Sequence, residues 1–185
     1  MENKILFINA CVREESRTKE LTLHLLDNLD GEITEVDLYK ENLLPVDMVG
    51  LEKRNAHAYS GEEFKFANQF KEADTIVIAA PFWDLSFPSV LKIYFENVTV
   101  SGITFEYSKE GRPASKCSAK KLYYVTTSGG PIGKNNFGFD YVKALAENFF
   151  GIDEVKFLSA EGLDIFGADV TAIMDEAKKN ISNLI

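Results

Sequence analysis

The chain has 185 residues, 45% of them hydrophobic, which suits one folded domain over residues 1–185 and argues against disorder. With 29 acidic and 20 basic residues the net charge is −9, a surface that repels DNA and anionic lipid, so nucleic acid is excluded as a first partner. No apolar run approaches the length of a membrane span, and the opening Met-Glu-Asn-Lys enters a strand pattern with no room for a secretory signal. Cys11 and Cys117 are too few for a disulfide framework and read as reduced thiols, which implies a cytoplasmic location. His24 and His57 are isolated, and no His/Cys cluster has zinc spacing, so no metal is expected.

Lys4 to Asn9 (KILFIN) is a short apolar run without helical period, the pattern of a buried strand. A polar loop leads to a helix from about Ser16. Leu21, Leu25 and Leu29 recur every four residues with Leu26 beside them, and Asp30-Gly31 ends the pattern. Ile33 to Leu38 alternates and reads as a second strand at an edge. Residues 39–59 lack a period and suggest a functional loop or a small local helix.

Ser60-Gly61-Glu62-Glu63 starts a helix that runs to about Glu72. Asp74 to Ala80 is the strongest strand signal, stopped by Pro81. Phe87 to Val98 predicts a helix with Pro88 in its first turn. Lys120 to Thr126 is a further strand. Phe137 to Phe150 is helical and closes on Gly151. Val155 to Leu158 is the last strand, and Asp169 to Ile181 the last helix.

Strand and helix therefore alternate five times. That order predicts an α/β flavodoxin-like three-layer sandwich, a five-stranded parallel sheet of order 2-1-3-4-5 with helices on both faces. In this topology ligands bind beyond the carboxyl ends of the strands, at the switch point between strands 1 and 3.

Three loops leave that rim. In Ala10 to Thr18, the helix start offers free N–H groups and a positive dipole end, with Ser16 and Thr18 as hydroxyl donors and Arg13 or Arg17 as a cation; these suit a phosphate, the alternative being that Ser16 serves only as the helix N-cap. Pro81, Phe82, Trp83, Asp84 and Leu85 carry aromatic groups out of a buried strand, where a flat ligand or another subunit would cover them unless one or two rings fold back onto the core. Thr127, Ser128, Gly129 and Gly130 supply backbone donors that a ligand can approach closely. A phosphate at one end and an aromatic ring at the other describe a mononucleotide, with FMN the natural candidate.

These residues resemble the FMN-dependent NAD(P)H oxidoreductases of the azoreductase and quinone-reductase group. The most telling stretches are Ala79 to Lys92, Gly102 to Tyr107, Lys120 to Gly130 and Gly151 to Gly162. Ser16-Arg17-Thr18 stands where the family often has Ser-x-Ser on the FMN phosphate. Phe82-Trp83-Asp84-Leu85 stands where Met-Tyr-Asn-Phe lies along the flavin ring, and Thr127-Ser128-Gly129-Gly130 where Ser-Arg-Gly-Gly touches its polar edge. Asp84 thus replaces an amide and Ser128 an arginine. Tyr107 matches an aromatic that borders the substrate pocket. The resemblance implies NADH or NADPH as electron donor, a small aromatic acceptor (a quinone, azo compound or similar), a ping-pong mechanism and a homodimer. It requires no catalytic side chain.

Two other readings compete. Cys11, five residues, Arg17 and Thr18 reproduce the spacing of a low-molecular-weight phosphatase loop, in which the thiolate attacks phosphorus. A flavodoxin-like sheet also suits a non-enzymatic flavin electron carrier.

Overall fold

The computed structural model describes residues 3–185. A five-stranded parallel sheet is formed by β1 (Lys4–Asn9), β2 (Glu32–Asp37), β3 (Thr75–Ala79), β6 (Lys121–Thr127) and β7 (Glu154–Ala160). Two short strands intervene, β4 (Phe105–Tyr107) and β5 (Pro113–Ser115), paired as a separate antiparallel hairpin. Along the chain the sheet order is therefore 2-1-3-6-7 and not 2-1-3-4-5. The correction is one of count: the five sheet strands are the five expected, in the expected relative positions, with β2 at one edge. The hairpin strands have three residues each, too short for an alternating pattern to register.

Alternate residues of each central strand feed two cores. Ile5 and Phe7 of β1, Val77 of β3 and Tyr123 and Val125 of β6 face α1 (Arg17–Leu26) and α6 (Val170–Lys179). Leu6, Ile8, Ile76, Ile78, Leu122 and Tyr124 face α3 (Lys65–Glu72), α4 (Ser89–Val98) and α5 (Phe137–Leu145). Burial on both faces explains why these strands read as continuous apolar runs.

Several boundaries move for local reasons. The first helix ends at Leu26, and Leu29 packs on the core from the following turn. Pro88 is extended (ψ 141°) and precedes α4 instead of lying in its first turn. Glu62–Phe64 is a 3-10 turn before α3. Residues 39–59 contain the local helix α2 (Met48–Asn55), capped by Asp47 Oδ1 on Gly50 N–H at 2.8 Å. After α5, a π-helical turn (Ala146–Phe150) continues to Gly151, as expected from the sequence. Gly151 is left-handed (φ 63°), and a Cβ there would lie 2.8 Å from the Ser115 Cβ, so only glycine lets the hairpin dock at this point.

Candidate functional site

The loops after β1, β3 and β6 converge on one cavity of about 860 Å³ at the carboxyl rim of the sheet. Nine of the expected residues line it: Ser16, Arg17, Thr18, Pro81, Phe82, Trp83, Thr127, Ser128 and Gly129. Asp84, Leu85, Gly130 and Tyr107 lie outside the lining. Leu163 and Asp164, from the loop after β7, belong to it and were not singled out from the sequence. The available signal was topological: β7 is parallel to β6, so the loop that leaves it emerges at the same rim.

At one end stands the start of α1. Ser16 caps it in extended conformation, its Oγ accepting from Lys19 N–H at 3.3 Å. The N–H groups of Arg17 and Thr18 have no hydrogen-bond acceptor among the described residues, so two donors and the positive dipole end face the cavity. Arg17 Nη1 donates to Asp164 Oδ1 at 3.1 Å and to the Leu163 carbonyl at 3.5 Å. Lys19 Nζ is held by Glu35 Oε1 at 3.0 Å, which also accepts from the buried Asn9 Nδ2 at 2.8 Å. The lining carries three cations (Arg13, Arg17, Lys19) against four carboxylates (Glu14, Glu15, Glu20, Asp164). Attraction for an anion therefore comes from directed N–H groups and Arg17 and not from the overall field.

The Thr18 hydroxyl is placed differently from the sequence expectation. Its residue is buried, and Oγ1 lies 2.6 Å from Thr127 Oγ1, a bond that ties α1 to the end of β6.

At the other end the chain after β3 reverses tightly. Trp83 and Ser86 exchange both backbone hydrogen bonds (3.0 and 2.7 Å), with Asp84 at φ 49° and Leu85 at φ 67°. Two left-handed central residues define a type I′ turn. The reversal sets Asp84 and Leu85 at the loop tip, where the Leu85 carbonyl accepts from Phe137 N–H at 3.0 Å at the start of α5. This removes both from the cavity wall. Phe82 and Trp83 remain on it, with Phe82 N–H bonded to the Thr127 carbonyl at 3.1 Å and Trp83 42% exposed.

In the third loop Ser128 is a brace. It is buried, its Oγ donates to the Gly130 carbonyl at 2.6 Å, and its N–H donates to the Ala160 carbonyl at 3.0 Å. Gly129 is the glycine the site needs: a Cβ there would fall 2.5 Å from Asp164 Oδ2. Gly130 has open space around it and lies beyond the lining. Tyr107 lies on the hairpin, 59% exposed, its ring edge-on to Phe105 at 5.3 Å. The hairpin that carries it is paired apart from the five-stranded sheet.

The phosphatase arrangement is not assembled. Cys11 is buried outside the cavity lining, and burial pushes its thiol up from 9.0 to about 11, so it is no thiolate at neutral pH. Arg17 is turned to Asp164.

The Flavodoxin_2 family model, described as flavodoxin-like fold, matches residues 3–185. An FMN-dependent NADH:quinone oxidoreductase of Lachnoclostridium phytofermentans is 37% identical over 96% of this chain and 95% of that protein. The chain belongs to the azoreductase and quinone-reductase family of flavodoxin-like proteins. A second family member, the FMN-dependent NADH:quinone oxidoreductase of Coprothermobacter proteolyticus, is 35% identical over 98% of this chain and 97% of that protein. An azoreductase from Bacillus anthracis str. Sterne superimposes with a TM-score of 0.83 at 26% identity, covering 98% of this chain and 97% of that one.

Proposed function

We propose that the chain is an FMN-dependent NADH oxidoreductase that reduces quinones, azo compounds or similar aromatic acceptors by a ping-pong mechanism. One observation carries the reading: a single cavity joins the unpaired N–H groups and Arg17 at the α1 start to Phe82 and Trp83 at its other end. That pairing of anion donors with an aromatic wall fits FMN. The names of the relatives support FMN as cofactor and NADH as donor.

Bound FMN supplies the two-electron chemistry. The protein binds and orients. Ser16 Oγ and the N–H groups of Arg17 and Thr18 hold the phosphate end. Phe82 and Trp83 exclude water from the ring. The Gly129 N–H, which has no acceptor among the described residues, would be free for a ligand's polar edge, while Asp164 fills the place of a side chain. With the hydride chemistry supplied by the flavin, no side chain need act as an obligatory acid or base, which suits donor and acceptor using one open face in turn.

The same reading takes residues 1–185 as one FMN-binding domain acting as a cytoplasmic homodimer. The exposed apolar Leu44, Met48, Val49 and Leu51 on and before α2 support a subunit contact. No helix among the described residues is long and apolar enough to cross a membrane.

The test is the visible spectrum of the purified protein with FMN, followed by anaerobic NADH. The expected result is a bound flavin that bleaches. A flavin that stays oxidised would mean an electron carrier, and a protein that takes up no flavin would overturn the reading.

A further inference from the structure

We infer that Asp164 is a positioning residue that holds Arg17 at the phosphate end of the cavity and thereby selects a phosphorylated flavin over an unphosphorylated one. This inference rests on the flavin reading above.

Arg17 is the first residue of α1, and its guanidinium has five N–H donors. Only Nη1 is engaged, with Asp164 Oδ1 at 3.1 Å and the Leu163 carbonyl at 3.5 Å. Nε and Nη2 have no acceptor among the described residues. The guanidinium can therefore keep Asp164 on one edge and accept an anion on another.

Asp164 is itself fixed by backbone. Its N–H donates to the Gly129 carbonyl at 2.9 Å, and Leu163 N–H donates to the Ser128 carbonyl at 3.1 Å. The carboxylate sits where a Gly129 side chain would otherwise be, 2.5 Å from that Cβ position. The pair thus clasps the start of α1 to the loops after β6 and β7, across the cavity.

Folding stability does not account for this arrangement. The two side chains are 45% and 74% exposed, and an ion pair that open contributes little. Its effect falls on binding. A free arginine loses much rotamer freedom when it closes on a phosphate, and one already held loses less. Glu14, Glu15 and Glu20 also line the cavity and would compete for an unanchored guanidinium. A flavin without phosphate does not use Arg17 and gains nothing from the clasp.

The experiment measures the dissociation constants of FMN and riboflavin by quenching of flavin fluorescence. It uses the full chain as wild type, Asp164→Ala, Arg17→Ala and the double variant. Asp164→Ala should weaken FMN binding about five-fold, the scale of ordering one long side chain, and riboflavin less than two-fold. In the Arg17→Ala background it should add nothing. Equal losses for FMN and riboflavin, unchanged FMN binding, or additive effects of the two substitutions would overturn the clasp while leaving the flavin reading intact. A wild-type chain that binds neither flavin would instead overturn the flavin reading, and the clasp with it.

Discussion

Thr18 Oγ1 and Thr127 Oγ1 lie 2.6 Å apart, although 109 residues separate them in sequence. The bond joins the first turn of α1 to the last residue of β6, and both residues line the cavity, so the anion end is tied to the start of the loop that carries Gly129.

Thr18→Val should therefore act on stability before binding. Loss of one buried partner is expected to lower the free energy of unfolding by about 1 kcal/mol, and Thr127→Val by a similar amount. The double variant should cost less than the sum, since both remove one bond. Urea unfolding measures this. A Thr18→Val protein with unchanged stability and weakened FMN binding would show that the hydroxyl serves the phosphate instead.

Gly138 marks a second close approach. A Cβ there would stand 2.8 Å from the Tyr124 hydroxyl and 3.2 Å from the Ser86 carbonyl carbon. Tyr124 is buried and packed against Phe139 and Phe157, so it has little room to yield. Gly138→Ala should destabilise by about 1–3 kcal/mol, the usual cost of overpacking. Because Ser86 pairs with Trp83, the only tryptophan, the emission of that residue should shift as well. A thermal melt and a fluorescence spectrum check both effects.

The Asp84-Leu85 turn carries removable strain. Leucine at φ 67° is costly, and type I′ turns favour Asn-Gly at these two positions. Asp84→Asn combined with Leu85→Gly should raise stability by about 1 kcal/mol, or the melting temperature by about 2–4 °C for a chain of this size. A lower melting temperature would mean that the half-exposed Leu85 side chain holds the loop through packing.

Stability should fall at alkaline pH. Burial pushes the Cys11 and Cys117 thiols up from 9.0 to about 11. In the unfolded chain they ionise near 9, in the native one near 11. Their contribution is complete below pH 9 and is lost as pH rises from there to 11, at most about 3 kcal/mol for each. Burial pushes the Tyr94 hydroxyl the same way. The urea midpoint should drop between pH 9 and 11, and drop less in Cys11→Ala. A midpoint independent of pH over that range would contradict the assignment.

The sheet was legible because its strands are buried on both faces. KILFIN, DTIVIAA and KKLYYVT are continuous apolar runs for that reason alone, and their alternation with helices sets a parallel order. From that order follows the rim where the loops after β1, β3 and β6 must meet, so about half of the cavity wall could be named by residue. Three features are decided only by the tertiary structure. The hairpin of β4 and β5 is too short to show a period. Asp84 and Leu85 leave the wall because of a backbone reversal that Leu85, at φ 67°, does not announce. Thr18, Ser128 and Asp164 take their roles from partners far along the chain or from a packed backbone: Thr127, the Gly130 carbonyl and Arg17. Residue type and spacing specify which groups reach a rim. Which of them spend their hydrogen bonds on each other and which remain free for a ligand is fixed only when distant segments pack, because that choice depends on distances of a few tenths of an ångström.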